Sequence, residues 1–226
     1  MKLGVLFSGG KDSSLALFKA QESHDVVCLI SVFSKNKESY MFHVPNIELT
    51  KLQANAIGLP LIQKTTKGEK EKELDDLKEA ILLAKEGYHI EGIVTGAIES
   101  VYQSTRIQRI CEDLDLSCLN PLWKKDQIGL LEELVQKGFK VIISGVFAYP
   151  LDESYLGKLI DSKMVERLKL VSEKYRLSPA GEGGEFETTV LDAPFFKRRI
   201  EIMDYEISYK DNCGVFDIRK ARLTGK

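Results

Sequence analysis

The chain has 226 residues, 34 acidic and 32 basic side chains, a formal charge of -2 and 43% hydrophobic residues. That length builds one large domain, or one domain plus a smaller lobe. The near-balanced charge excludes the overall electrostatics of a nucleic-acid binder. Cys28, Cys111, Cys118 and Cys213 form no Cys-x-x-Cys pair, which argues against a zinc knuckle or redox dithiol and for reduced thiols in the cytoplasm. No apolar run approaches the roughly 20 residues that span a bilayer, so neither a membrane nor a nucleic acid is an expected partner.

In chain order, Lys2 to Phe7 is a nearly continuous apolar run, the pattern of a strand covered on both faces. Leu15, Ala16, Phe18 and Ala20 then recur at helical spacing, and "VVCLISVF" (26–33) reads as a second strand. From Asn46, a candidate N-cap, the pattern is helical again, and "LPLIQKT" gives a third strand. Glu69 to Lys85 is an amphipathic helix that Gly87 is placed to end, and "GIVTGAI" from Gly92 is a fourth strand. Strands alternating with helices of this length predict a Rossmann-like, doubly wound parallel sheet.

A helix over Tyr102 to Leu114 follows, and "LSCLNPLW" interrupts with Pro121. A further helix carrying Leu131 and Leu134 leads into the strand "KVIISGVF". Beyond Pro150 come a helix over Ser162 to Tyr175, the Gly-rich "AGEGGEFETTV", and two stretches alternating polar and apolar, read as antiparallel strands. The division expected is a nucleotide domain at residues 1–120 and a smaller α+β lobe at 121–226.

One string concentrates chemistry. Ser8-Gly9-Gly10-Lys11-Asp12-Ser13-Ser14 sits where the first strand ends and the first helix begins. Such a junction presents backbone N–H groups and the positive end of the helix dipole, an anion site. Glycines allow close approach, Lys11 adds a point charge, and the serines donate hydroxyls. The spacing is not that of the Walker loop, Gly-x-x-x-x-Gly-Lys-Ser/Thr.

The string resembles the PP-loop of the ATP pyrophosphatases, which cleave ATP between the α and β phosphates. That resemblance implies ATP bound by residues 8–14, adenine near the end of the second strand, at about Ile30 to Phe33, and magnesium with Asp12 as a ligand. Gly96 and Ala97 follow the fourth strand and belong to the same sheet edge, where open α/β folds bind ligands.

Two further stretches narrow the likeness. "GAIESVYQSTRIQRICEDLDLSCLNPLW" (96–123) and "GEGGEFETTVLDAPFF" (181–196), with "SYMFHVPN" (39–46) and "YPLDESYLGKLID" (149–161), resemble the diphthine-ammonia ligase family over nearly the whole chain. The family resemblance implies ATP-dependent amidation of diphthine on translation elongation factor 2. Free ammonium is the amine source, an acyl-adenylate the intermediate, and AMP and pyrophosphate the products.

On that reading Lys11, Asp12 and Arg106 act on the reacting phosphate or carboxylate. His43, Tyr102, Gln103, Glu182, Gly183, Gly184, Glu185 and Glu187 form the substrate side. Glu182 and Glu185, with Phe186 or Tyr102, are expected to hold the quaternary ammonium of diphthine or the incoming ammonium. Taken without the resemblance, the acidic Gly-rich stretch suits a surface turn and Arg106 a solvated helix face. A PP-loop enzyme acting on tRNA and a non-catalytic nucleotide sensor are the competing functions, and a homodimer is compatible with the chain.

Overall fold

The computed structural model describes residues 1–34, 45–66 and 72–226. Its first half alternates strand and helix: β1 (Lys2–Leu6), α1 (Lys11–Gln21), β2 (Asp25–Ser34), α2 (Thr50–Ile57), β3 (Leu61–Thr66), α3 (Lys72–Tyr88), β4 (Gly92–Val94), α4 (Val101–Asp113) and β5 (Ser117–Leu119). These strands form one parallel sheet in the order β3-β2-β1-β4-β5. The order reverses between β1 and β4, which leaves a crevice at their C-terminal ends.

The second half contributes α5 (Gln127–Gln136), β6 (Lys140–Val146), α6 (Ser162–Tyr175), β7 (Phe186–Asp192), β8 (Arg199–Lys210) and β9 (Cys213–Thr224). Its four strands make an antiparallel sheet in the order β7-β6-β9-β8.

Alternation along β2 explains the layering. Cys28, Ile30 and Val32 face one way, onto Leu77, Ile81, Ile107 and Ile110 of α3 and α4. Leu29 faces the other way, into a core that runs through α1, α2 and α5 to the antiparallel sheet, taking in Val141, Ile143, Phe186 and Val190. Successive side chains of a strand point to opposite faces, so one strand serves both cores. The two sheets thus share an apolar interior, tied at its rim by the Lys19–Glu133 ion pair at 2.6 Å.

Three local expectations change. The interruption at "LSCLNPLW" contains a fifth parallel strand, only three residues long, registered on β4 through Gly92↔Ser117. Asn46 does not cap the following helix: it takes a left-handed backbone (φ 62) and makes no cap hydrogen bond. Its side chain instead donates to the Phe216 carbonyl (2.9 Å) and accepts from the Ile218 N–H (2.7 Å), pinning β9. Helix α3 runs one residue past Gly87 and turns at His89, whose φ is 54. All four cysteines are free thiols.

Candidate functional site

Helix α1 begins at Lys11 behind Gly10, which as N-cap offers no side-chain cap. Its positive end is therefore open to an anion. The loop before it is held from within, where Ser13 Oγ donates to the Gly10 carbonyl (3.2 Å) and accepts from the Ser8 N–H (3.3 Å), and from outside by packing. Gly9 has φ 79, and a Cβ there would fall 2.1 Å from Gln53 Oε1. The Gly9 carbonyl accepts from Gln53 Nε2 (2.8 Å) and from the Val190 N–H (3.0 Å), and the Lys11 N–H donates to Thr188 Oγ1 (3.1 Å). Strand β7 of the antiparallel sheet thus forms one side of the loop's mould.

The crevice is a cavity of about 300 Å³. Ser8, Lys11, Asp12 and Ser13 line it from the first loop, and Gly96, Ala97, Ser100 and Gln103 from the β4–α4 turn. Gly181 to Gly184, except that Glu182 carries the only side chain, and then Phe186 and Glu187 line it from the C-terminal half. Its apolar part is made by Ile30, Val32, Leu77 and Ile107. A Cβ on Gly96 would lie 2.8 Å from the Asp12 carbonyl carbon and the Ser13 nitrogen, so only glycine lets the turn after β4 close onto the first turn of α1.

The charges are compressed. Lys11 is 4% exposed, pairs with Asp12 at 2.8 Å, and sits 5.4 Å above the Phe186 ring. Burial raises the Asp12 carboxyl above the ordinary carboxylate range, against the pull of Lys11. Burial also pushes Glu187 up to about 7; Lys11 opposes this, while Asp12 and Glu182 add to it.

Several expected residues sit elsewhere. Gly9, Gly10 and the fully buried Ser14 shape the loop from behind rather than lining the cavity. Of the Ile30–Phe33 stretch expected near the adenine, Ile30 and Val32 line the cavity, while Phe33 falls in the alternate phase of the strand and does not. Gln103 and Ile107, one turn apart, face the cavity, whereas Tyr102 and Arg106 do not. The Arg106 guanidinium lies 3.5 Å from the Tyr102 ring centroid and, with Arg109 and Lys78, borders a separate hollow between α3 and α4. The reason is angular: three residues along a helix bring a side chain round by about 300°, so Arg106 falls on the flank beside Gln103. Residue 43 lies outside the described residues.

The acidic stretch is divided as well. Glu185 turns back into its own loop, where Oε1 accepts from the Ser178 N–H (2.7 Å) and Oε2 is buried with no hydrogen-bond partner among the described residues. Glu182 reaches across to the parallel-sheet half, where Oε1 accepts from the N–H groups of Ile98 (3.2 Å), Glu99 (2.9 Å) and Ser100 (3.0 Å). Residues that sequence reasoning passed over are Gln53, Thr188 and Thr95, whose hydroxyl accepts from the Ala97 N–H (3.2 Å). Nothing in their spacing marks them; Thr188 lies inside the quoted acidic stretch, but as part of a strand pattern.

This fold, with a glycine-rich turn at the end of its first parallel strand, is that of the PP-loop class of α/β proteins. The chain belongs to the diphthamide synthase family: the family model for the N-terminal domain matches residues 1–118, and that for the C-terminal domain matches residues 126–224. Diphthine--ammonia ligase of Rattus norvegicus is 36% identical over 245 aligned residues, covering 100% of this chain and 91% of the rat protein. The protein of the same name from Homo sapiens is 35% identical over 227, covering 92% and 85%. A solved structure described as a predicted subunit of tRNA methyltransferase from Methanocaldococcus jannaschii aligns with a TM-score of 0.45 and 19% identity, covering 86% of this chain and 98% of that one.

Proposed function

We infer that the chain is an ATP-dependent ligase that amidates diphthine on translation elongation factor 2, the last step of diphthamide formation, with ammonium as nitrogen donor and AMP and pyrophosphate as by-products. The observation that carries this reading is the meeting of the two signature stretches in one cavity: Thr188 receives the Lys11 N–H, and Phe186 lies beneath the Lys11 ammonium. Family membership supplies the substrate.

We assign the polyphosphate of ATP to the α1 N-terminus, where Lys11 and the hydroxyls of Ser8 and Ser13 face the cavity. Positive charge fixed there stabilises the negative charge that grows on the leaving pyrophosphate. The base fits the apolar end at Ile30 and Val32. Asp12 suits a magnesium ion, which is commonly held by one or two carboxylates plus substrate phosphates. Among the described residues there is no group of three or more His, Cys, Asp or Glu side chains that could hold a metal unaided. Magnesium would supply further charge neutralisation on the phosphates.

Glu187 is the group we assign to ammonium. Ammonium must lose a proton before nitrogen can attack the activated carboxyl, and a half-buried carboxylate poised near neutrality is suited to take it. Lys11 and Asp12 pair beside it at 2.8 Å, so one cavity holds both charge-stabilising and proton-accepting groups. No helix among the described residues is long and apolar enough to cross a membrane, and we place the reaction in the cytoplasm, where thiols stay reduced.

The test measures AMP, pyrophosphate and amide with ATP, magnesium, ammonium and diphthine-bearing elongation factor 2, omitting one component at a time. The expected result is AMP and amide in equal amounts only when all are present. Cleavage stimulated by tRNA instead, or ATP bound and never cleaved, would overturn the reading.

A further inference from the structure

We propose that Glu182 is a positioning residue: docked on three consecutive backbone N–H groups ahead of α4, its carboxylate latches the C-terminal half onto the Gly96–Ser100 wall of the nucleotide cavity. The proposal uses the amidation reading for its assay, but its geometry stands apart from the identity of the substrate.

One oxygen, Oε1, accepts from Ile98, Glu99 and Ser100 at 3.2, 2.9 and 3.0 Å. Convergent backbone N–H groups form an anion-binding concavity, and the adjoining helix dipole adds to its positive character. This concavity is filled by a side chain of the same protein, arriving from the other sheet's half of the molecule.

The bonds behind Glu182 close a circuit. Its own N–H donates to Ser178 Oγ (3.0 Å), and that hydroxyl donates to Gln127 Oε1 (2.6 Å), which also receives the Ala180 N–H (3.1 Å). Gln127 Nε2 then donates to Glu99 Oε2 (3.3 Å), back on the wall. Two side chains of the C-terminal half, Glu182 and Gln127, therefore grip the same segment. Networks whose members are all partnered hold a single arrangement.

The gripped segment bears on chemistry because of what it touches. Gly96 packs directly on the Asp12 and Ser13 backbone, and Ala97, Ser100 and Gln103 line the cavity. Releasing the wall would move it relative to the phosphate-facing turn and admit water, and misplacement of about 1 Å can cost on the order of 100-fold in rate. A carboxylate oxygen already shared by three N–H donors is poorly disposed to neutralise a substrate cation, so the latch and the cation-holding role expected from sequence make different demands. The latch needs an acceptor oxygen; cation binding needs the charge.

The experiment compares Glu182→Gln, Glu182→Ala, Gln127→Ala and the double alanine variant. A glutamine oxygen can still accept the three N–H bonds. The latch predicts Glu182→Gln within about fivefold of the parent in kcat and Glu182→Ala lower by about 10- to 100-fold. In the alanine variants AMP should exceed amide, as water intercepts the activated carboxyl, and the double variant should be little worse than Glu182→Ala alone, since both residues serve one circuit. ATP affinity, measured without elongation factor, should weaken about tenfold in Glu182→Ala and stay near parental in Glu182→Gln.

The proposal is overturned if glutamine is as damaging as alanine and raises KM for the modified elongation factor, or if neither variant changes coupling or ATP affinity. Should Glu182→Ala fail to fold, Gln127→Ala and Glu182→Gln carry the same comparison. A parent protein that binds ATP yet makes no amide would sink the functional reading while leaving the affinity test of the latch intact.

Discussion

The chain contains two glycine-rich loops that share a cavity but take their main support from different partners. In the first, residues 8–14, glycines are filled in from outside: Gln53 crowds Gly9 and Thr188 crowds Gly10, so the charges of Lys11 and Asp12 are aimed by a rigid mould. In the second, residues 181–185, Gly184 has φ 82 and a Cβ there would meet nothing within 4 Å. Here side chains do the holding, with Glu182 tied across the crevice and Glu185 tied back to Ser178. Glycine permits close packing in both loops, since a Cβ on Gly181 would fall 2.7 Å from the Phe186 carbonyl oxygen, whereas Gly184 serves a turn with open space around it.

The sharpest way to break the comparison is at Lys11. Lys11→Met keeps the length and apolar contact with Phe186 but removes the charge, and should lower AMP-forming turnover by about 10²–10³-fold, read by pyrophosphate release. A smaller loss would mean that the first loop's charges are not aimed at the phosphates. Next is Gly9→Ala, where a left-handed backbone is compounded by overlap with Gln53; a cost of about 3 kcal/mol is expected from strain plus overpacking, read by denaturant unfolding.

Glu187 tests the cavity both loops share. Its acid is raised from an ordinary value of 4.5 to about 7, so between those values the folded protein holds a proton that the unfolded chain has released. Stability contributed by this group is therefore fully present below about pH 4.5 and falls as pH rises through 7. Glu187→Gln should flatten that fall, leaving the variant more stable than the parent at pH 8 by on the order of 2 kcal/mol after allowing for partial solvent screening. Equal pH dependence of the two melting temperatures, measured without nucleotide, would remove Glu187 from the cavity's acid–base chemistry. The gentlest effect belongs to Gly184→Ala, about 1 kcal/mol from the left-handed backbone alone, because no neighbour is met. A cost equal to that at Gly9 would erase the distinction between the two loops.

The parallel sheet was legible because period and length are local: apolar runs near β1, β2 and β4, separated by helix-length segments, leave little freedom once right-handed crossovers are required. The short β5 was not, since three residues beside Pro121 carry no periodic signal. Asn46 misled because the same residue suits an N-cap and a left-handed turn, and only its bonds to β9, 170 and 172 positions later, decide between them.

The candidate site divides in the same way. Ser8, Lys11, Asp12, Ser13, Gly96 and Ala97 follow strands whose C-terminal ends must lie together, so their placement at the cavity was readable from the chain. Arg106 and Tyr102 sit one step of helical angle from the cavity-lining Gln103, and Phe33 one step of strand alternation from Val32, so a single residue of phase decides which face a side chain takes.

What the sequence by itself determined is the anion-binding loop, the parallel sheet that presents it, and the family to which both belong, because each depends on short-range spacing and residue type. What only the tertiary structure decided is the division of labour among Glu182, Glu185 and Glu187. Six residues hold all three carboxylates, and identical chemistry within one short stretch contains no instruction about direction. Their roles depend on which partners reach them: three backbone N–H groups from before α4 for Glu182, the Ser178 N–H for Glu185, and the buried cavity wall beside Lys11 for Glu187.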